Sequence, residues 1–246
     1  TGEVNGLAAS AQGSAGLDSR LRLLPGKTRI ELNGALLDIS ALQNDARDAY
    51  LNLKVDDLGR WVTGARGRIS LRGTGGFDRE RIQLSGEARD FKLGEVVMDA
   101  AELSLDYNEA LDKISADIRS SQIESQSYRF SDLSAELKGT LASHRLRLAT
   151  QGDIAGQLIV AGQWKEGEWQ GELQPAILQT GSGPWRLNEP VALAWAETGI
   201  FNVDAHCWRH SEFDVCSEDA EMGASGALQL SLQGDIKAFN GLLPNG

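Results

Sequence analysis

Hydrophobic and polar residues alternate one by one along much of the chain. In the stretch from Leu51 to Val55, for example, an asparagine and a lysine separate three apolar residues. Successive side chains of a β-strand point to opposite sides of its sheet, so a period of two predicts strands with one apolar and one polar face. The pattern therefore predicts an all-β protein built from such strands.

The same alternation returns along the chain and defines the residues expected on the apolar face. These residues are Leu51, Leu53, Val55, Ile69, Leu71, Ile82, Leu84, Leu103, Leu105, Ile114, Ile118, Leu133, Leu137, Leu146, Leu148, Phe201, Val203, Leu228, Leu230 and Leu232. Turns are predicted at 73–76, 108–109, 166–168, 181–183 and 197–199. Strands joined by such short turns pair antiparallel, since a parallel pair needs a long crossover connection.

Two segments break the period of two and favour short helices. Residues 56–62 begin with two aspartates and carry apolar residues at helical spacing, and residues 235–244 have a similar pattern that ends at Pro244. Each follows an alternating strand, which suggests one strand–helix unit used twice. We interpret residues 1–246 as a single continuous segment of a longer chain, with candidate module junctions near 57–67 and 235–246.

The chain carries 35 acidic and 24 basic residues, which gives a formal net charge of -11. Such a surface repels the phosphates of nucleic acids and the head groups of anionic lipids, so we expect no nucleic-acid partner. The sequence has no run of about 18 apolar residues, the length that a membrane-spanning helix requires. We therefore expect no membrane-spanning helix in this segment.

The two cysteines, Cys207 and Cys216, flank a segment that could form a hairpin. Paired thiols in a β-rich chain are typical of a disulfide and of an oxidising compartment such as the periplasm. A disulfide predicts Cα atoms about 4.4 to 6.8 Å apart. The alternative is two reduced thiols.

Motifs for catalysis fail on their context. The Gly-Lys-Thr sequence at 26–28 resembles the end of a phosphate-binding loop, but Leu21 stands where the motif needs glycine, and a strand pattern follows instead of a helix. Ser182 and Ser225 lie beside glycines, but neither stands in the nucleophile motif G-x-S-x-G. We expect turn serines, no catalytic residue and no cofactor.

The residues near the cysteines include several metal-ligand types, namely His206, Cys207, His210 and Cys216. His206 and Cys207 are adjacent, so on a strand they point to opposite faces and cannot share one tetrahedral centre. We therefore expect no metal site. A triad that uses one of the histidines, of which His144 is the third, stays open because triad members need not be close in sequence.

The apolar face allows two interpretations. In a sandwich, two such faces pack about 10 Å apart and form a closed core. In a long sheet bent into a trough, the face is left open and could hold acyl chains. The alternation does not separate these cases, and the pattern alone favours the closed core because large exposed apolar surfaces are unusual in soluble proteins.

Short motifs in the second half of the chain occur in a distinctive order. They are Gly139-Thr140 followed by His144, Trp169-x-Gly171-x-Leu173, Gly183-x-Trp185-x-Leu187 followed by Pro190, Cys207-Trp208, and Cys216. In this order they resemble the TamB family of Gram-negative envelope proteins, which are AsmA-like, bridge-like lipid transport proteins. The specific part covers roughly 139–244, and an earlier strand followed by Asp57-Leu58 and Gly67 resembles the same family.

The resemblance implies an elongated, mostly antiparallel sheet curled into a β-taco with an apolar concave face. It implies a parent chain anchored in the inner membrane, a location in the periplasm, and pairing with the outer-membrane barrel protein TamA, not through this segment. The implied function is non-enzymatic: movement of phospholipids, held by their acyl chains, between the membranes and support of outer-membrane protein assembly. The alternatives are a surface or adhesin-like β-structure with a closed core that binds protein, and a secreted carbohydrate-active β-domain.

Overall fold

The computed structural model describes residues 2–4, 7–14, 26–41, 48–76, 81–223 and 229–234. They form strands apart from turns and one short 3-10 helix, so the predicted all-β, antiparallel fold class is confirmed. The chain divides into two compact units, unit 1 (Thr1–Ser127) and unit 2 (Tyr128–Gly246). This division lies at neither of the module junctions expected from the sequence, which stay predictions.

Unit 1 is an antiparallel meander in which each strand pairs with the next. Its strands are β1 (Gly2–Val4), β2 (Leu7–Gly13), β3 (Lys27–Leu32), β4 (Ala35–Ala41), β5 (Asp48–Val55), β6 (Ala65–Gly76), β7 (Arg81–Leu93), β8 (Val96–Asn108) and β9 (Lys113–Ser125). Asn33 and Gly34 form the two-residue turn between β3 and β4, with φ of 47° and 81°. Positive φ at both positions matches the twist of a two-residue hairpin.

The register of unit 1 places apolar residues opposite apolar residues or glycine. Leu53 on β5 lies opposite Leu71 on β6. Leu84 on β7 lies opposite Gly73 on β6 and Leu105 on β8. Directly opposite residues of an antiparallel pair point to the same side of the sheet. The alternating positions of β3 to β9 therefore form one apolar face and one polar face.

The predicted turn at 73–76 is wrong, because these residues are the end of β6. Gly73 lies within the sheet, where a Cβ atom would approach Leu84 Cδ2 to 2.7 Å. Gly86 on β7 is similar, since a Cβ atom there would lie 2.2 Å from Leu71 Cδ2. These glycines make room for leucines on the neighbouring strand. A glycine in the sequence can therefore mark a close contact within a sheet as well as a turn.

A short 3-10 helix, Leu58–Arg60, follows β5 within the segment predicted to be helical. Asp57 caps it by accepting a hydrogen bond of 2.9 Å from the Gly59 N–H. The helix makes a single turn, and Trp61 after it is exposed. The second predicted helix, at 235–244, lies outside the described residues.

Unit 2 contains twelve described strands. They are β10 (Tyr128–Gly139), β11 (His144–Gly152), β12 (Ile154–Lys165), β13 (Glu168–Leu173), β14 (Ala176–Thr180), β15 (Gly183–Leu187), β16 (Val191–Ala196), β17 (Phe201–Val203), β18 (His206–Arg209), β19 (Phe213–Ser217), β20 (Ala220–Met222) and β21 (Leu230–Gly234). The predicted turns at 166–168, 181–183 and 197–199 join consecutive strands or lie between them, as expected. Glu166 and Gly167 have φ of 55° and 84°, again the two-residue hairpin geometry.

The sheet of unit 2 forks at β12. Residues 160–165 of β12 pair with β13, whereas residues 154–156 pair with β14. The first branch continues from β13 through β16 and β17 to β20. The second branch continues from β14 through β15, β18 and β19 to β21.

The two branches enclose a small hydrophobic core. Ala176, Leu187 and Val191 are its buried residues, with 2% of Leu187 and of Val191 exposed. The partly buried residues packed against them are Leu158, Leu173, Leu193, Val203 and Trp208. Leu193 belongs to the first branch and Trp208 to the second, so apolar side chains from both branches meet. The closed-core interpretation therefore applies at the fork.

Candidate functional site

The apolar face of unit 1 contains every residue that the sequence placed there. The register puts them on one side of the sheet: Leu51, Leu53, Val55, Ile69, Leu71, Ile82, Leu84, Leu103, Leu105, Ile114 and Ile118. All are half-buried except Ile118, which is exposed. Their flanks are covered by neighbours in the sheet, and part of each side chain stays accessible.

The apolar face of unit 1 has no second layer among the described residues. Every substantial contact between elements of this unit joins neighbouring strands, apart from that of the 3-10 helix with β6. The described side chains that are buried in this unit are small, namely Ala35, Ala49, Ala65 and Ser120. Large apolar side chains therefore pack side by side, and no other described residue lies over them.

The polar face of unit 1 carries the charges. Arg29 Nε lies 2.7 Å from Asp38 Oδ1 across β3 and β4. This hydrogen bond from Arg29 holds the pKa of the Asp38 carboxyl below its usual range, and the carboxylate in turn raises the pKa of Arg29. A depression of about 580 Å³ on the same face is lined by polar residues that include Ser70, Arg72, Glu87, Glu102, Asp117 and Arg119. Both charge signs occur here, with Glu102 opposite Glu87 on one side and Arg119 on the other.

In unit 2, the sequence-predicted residues share one face but have different surroundings. Leu137 lies opposite Leu146, and Leu148 follows on the same side of β11. These three residues and Leu133 are half-buried. Val203 packs against the closed core, so it has apolar partners across from it.

The remaining predicted residues of unit 2 lie towards the ends of the branches. Phe201 on β17 is half-buried, and Leu230 and Leu232 on β21 are exposed. Leu228 lies outside the described residues.

A row of large apolar residues crosses the first branch, one from each strand. Trp164 lies opposite Trp169, Trp169 opposite Trp195, Trp195 opposite Phe201, and Phe201 opposite Met222. We call this row the aromatic ladder. Trp164, Trp195 and Met222 are exposed, at 42%, 50% and 39%. Of its members, only Phe201 was predicted on the apolar face from the sequence.

Trp169 in the aromatic ladder is held by two glycines and a histidine. A Cβ atom at Gly171 would lie 2.3 Å from the indole, and one at Gly162 would lie 2.6 Å from it. Trp169 Nε1 donates to His144 Nε2 at 2.7 Å, and His144 Nδ1 lies 3.1 Å from the Thr140 carbonyl oxygen. Because an indole N–H only donates, His144 Nε2 accepts and its proton is on Nδ1. The imidazole is therefore neutral in this arrangement.

The predicted disulfide joins Cys207 on β18 to Cys216 on β19. The Cα atoms are 4.0 Å apart, below the predicted range. His210 N–H donates to the Phe213 carbonyl, so these two residues form a hydrogen-bonded pair. Hydrogen-bonded and non-hydrogen-bonded pairs alternate along an antiparallel strand pair. Cys207 and Cys216 are three pairs away and therefore face each other at a non-hydrogen-bonded position. Such positions bring Cα atoms closest together. The bond lies on the face opposite Trp208 and the core.

The histidines near the disulfide are engaged in local contacts. His206 Nδ1 lies 2.9 Å from both the Asp204 carbonyl oxygen and Ser217 Oγ. His210 Nε2 lies 2.9 Å from the Ser182 carbonyl oxygen, so it contacts the backbone of Ser182 and not its hydroxyl. No group of three or more potential metal-ligating side chains occurs in the part of the chain that the structure describes.

The remaining catalytic candidates lie in a strand or a turn, or fall outside the described residues. Lys27 and Thr28 begin strand β3, so the phosphate-loop geometry of a strand followed by a helix is not formed. The Ser182 hydroxyl lies 2.9 Å from Thr180 Oγ1 within the β14–β15 turn. Ser225 is not among the described residues. The single described helix is far too short to cross a bilayer.

The comparisons with known proteins agree with the motif order. A family model described as TamB, N-terminal domain, matches residues 1–246, which is the whole chain and not only the 139–244 part. No curated protein and no solved structure matches this chain. Two of the motifs that carried the resemblance meet in space, since His144, which contacts the Thr140 carbonyl, accepts the hydrogen bond of Trp169 over Gly171. The chain belongs to the TamB family.

Proposed function

We propose that this segment holds phospholipid acyl chains on its apolar face in the periplasm, as part of a path between the inner and outer membranes. The observation that carries the proposal is the face of unit 1, where a full set of Leu, Ile and Val side chains has no second layer among the described residues. Each methylene removed from water contributes about 0.8 kcal/mol. An uncovered apolar face of this kind is typical of an interaction surface.

The family supplies the setting of the proposal. TamB proteins are in general non-enzymatic transport and assembly proteins of the Gram-negative envelope, are anchored in the inner membrane, and work with TamA. We infer that the parent chain supports outer-membrane protein assembly and that its contact with TamA lies outside this segment. The disulfide supports a periplasmic location because such bonds persist in oxidising compartments.

The test is photo-crosslinking to lipid from single positions on β8. A photoreactive residue at Leu105 faces the apolar side, and one at its neighbour Asp106 faces the polar side. We expect phospholipid adducts by mass spectrometry from Leu105 and a much lower yield from Asp106. Equal yields from both positions, or none from Leu105, would contradict the proposal.

The competing function, a closed-core protein that binds other proteins, has support at one place only. The core between the branches of unit 2 is closed, with Leu187 and Val191 almost fully buried. Its buried residues come from β14, β15 and β16, within two strands of the fork, and unit 1 has no such cluster among its described residues. A closed core is therefore a local feature of unit 2.

A further inference from the structure

The closed core of unit 2 limits the places where an acyl chain could lie on the apolar face of this unit. Val191 and Leu187 fill the space between the branches and leave 2% of their surfaces exposed. Close packing of this kind excludes a chain, because interiors at this density have no voids of that size. The aromatic ladder lies on the same face, two positions along each strand from Leu193 and Val203. In the described part of the first branch, it is a row of apolar residues with three exposed members.

We propose that the aromatic ladder is an acyl-chain binding site, and that chains on the apolar face of unit 2 pass over the ladder and not through the core. This inference rests on the proposed function and names the place in unit 2 where the lipid is bound. Trp164, Trp195 and Met222 supply exposed apolar surface from three of its strands. Flat indole rings provide a large contact area with few rotatable bonds.

The ladder is free of charge on its own face. Its five members are uncharged, as are the residues of the next row, which are His144 in its neutral form, Gly162, Gly171, Leu193, Val203 and Ala220. The chain as a whole has a net charge of -11. The charged residues of β12 and β13 near the ladder, namely Lys165, Glu168 and Glu172, lie on the opposite face, and Glu166 and Glu197 lie in the turns beyond the ladder. An uncharged occupant suits such a surface, whereas a partner attracted to an acidic protein would need carboxylates here.

The length of the ladder suits one chain. Its five strands, at a spacing of about 4.8 Å, give a row of about 19 Å. The hydrocarbon core of a bilayer is about 30 Å thick, so one acyl chain accounts for about half of that length. The row is therefore long enough to contact a whole chain.

The position of the ladder is held by the fold. Trp169 is wedged over Gly162 and Gly171 and hydrogen-bonded to His144, so the second of the five positions is fixed. Trp164 and Trp195 are exposed on either side of Trp169, so both rings are open to an occupant. Because Trp169 is already held in place, binding at this position does not have to order its side chain.

The experiment uses the intact chain labelled with 5-fluorotryptophan, with each fluorine resonance assigned by single Trp→Phe variants. The probe is stearic acid that carries a doxyl spin label near its methyl end. We expect strong broadening of the Trp164 and Trp195 resonances and little broadening of Trp208, which packs against the core. Trp61 is the matched control, because it is 42% exposed, as is Trp164, and lies in unit 1 beside the 3-10 helix.

A water-soluble nitroxide without an acyl chain separates exposure from binding, and it should broaden Trp61, Trp164 and Trp195 alike. Equal broadening of Trp61 and Trp164 by the spin-labelled fatty acid, or strong broadening of Trp208, would overturn the proposal. If the ladder resonances are unaffected but lipid crosslinks form at Leu105, the ladder is not the binding site and the proposed function still stands. Loss of both signals would count against both.

A charge variant gives a second readout. Trp195→Glu should weaken binding of the spin-labelled stearic acid about tenfold, which corresponds to about 1.4 kcal/mol. Trp195 is half exposed, so the fold should be retained, and circular dichroism checks this. Trp61→Glu should leave binding unchanged. Unaltered affinity in folded Trp195→Glu would contradict the role of the ladder.

Discussion

Trp169 shows at the scale of single residues how the apolar face is organised. Its indole needs the absence of two Cβ atoms, at Gly162 and Gly171, and its N–H needs the acceptor nitrogen of His144. The sequence identified Trp169 and Gly171 as parts of one motif in a distinctive order of several motifs. Only the register of β11, β12 and β13 explains it, because these residues come together from three strands.

Gly171→Ala should destabilise unit 2. The added Cβ atom would lie 2.3 Å from the Trp169 ring, so the indole must move from its place and lose its bond to His144. Overpacking of this kind costs about 1 to 3 kcal/mol. Urea denaturation followed by tryptophan fluorescence measures the change. Gly181→Ala is the control, because a Cβ atom there meets nothing within 4 Å. Equal stability of the two variants would contradict the requirement for glycine beside the Trp169 ring.

Asp38→Asn should lower stability at neutral pH and have no effect in acid. The Asp38 pKa is lowered in the folded protein by the hydrogen bond from Arg29, so its contribution is present above the unfolded pKa of about 3.9. It is lost as the pH falls through the lowered folded pKa. Denaturation midpoints against pH give the test, with the exposed turn residue Glu95 changed to Gln as the control. A difference that persists in strong acid would contradict this role of the ion pair.

At the scale of elements, the two units use the same alternating strands in different ways. In unit 1 the apolar face of neighbouring strands stays without a second layer among the described residues. In unit 2 the long strand β12 pairs with two different strands, and the branches that result close on a core. The period of two is the same in both, since it reports only which residues share a face.

Leu105→Arg and Val191→Arg should therefore have opposite effects on folding. On the open face of unit 1 a long side chain can bring its charge to water, so Leu105→Arg should keep its thermal melt and lose lipid crosslinking. In the core of unit 2 the charge would be buried without a partner, at a cost of several kcal/mol, and Val191→Arg should unfold the unit. Leu148→Asp on β11 should destabilise unit 2 more than Leu105→Arg destabilises unit 1, because aspartate is short and Leu148 lies opposite Leu158, which packs against the core.

Matched controls for these charges lie on the opposite face of the same strands. Ser104, Asp106 and Arg147 are adjacent to the changed leucines, and Arg145 lies two residues before Arg147; all four point to the polar side. Charge changes there should leave both folding and lipid crosslinking unaltered. Collapse of the thermal melt in Leu105→Arg would mean that the face of unit 1 is covered after all.

At the scale of the whole molecule, the disulfide is confined to the second branch of unit 2. It links neighbouring strands on the face opposite the core, so it restrains β18 and β19. Closing a loop this short contributes about 2 to 3 kcal/mol in the chain-entropy account. Its effect should therefore appear in unit 2.

Replacement of Cys207 and Cys216 by serine should lower the free energy of unfolding of unit 2 by about 2 to 3 kcal/mol. Hydrogen exchange with mass spectrometry should show faster exchange in β15, β18 and β19 and unchanged exchange in β5 to β8. Alkylation of the unreduced wild-type protein should find no free thiol. Faster exchange spread evenly over both units would contradict a local role.

The sequence by itself determined the strands, their antiparallel pairing and the faces on which their side chains lie. These follow from local rules: a period of two separates the faces, and short turns such as 166–168 set the register of a hairpin. The disulfide was predictable on the same grounds, although its Cα separation depended on the hydrogen-bonding position of the pair.

The tertiary structure alone decided where the apolar face is open and where it is closed. The fork at β12 pairs β13 with β16 and β15 with β18, and these strands are not consecutive in the chain. Alternation is the same whether a face meets a second face or stays uncovered, so it predicts neither the core around Val191 nor the row from Trp164 to Met222. Both depend on contacts between strands distant in sequence, which no local pattern specifies.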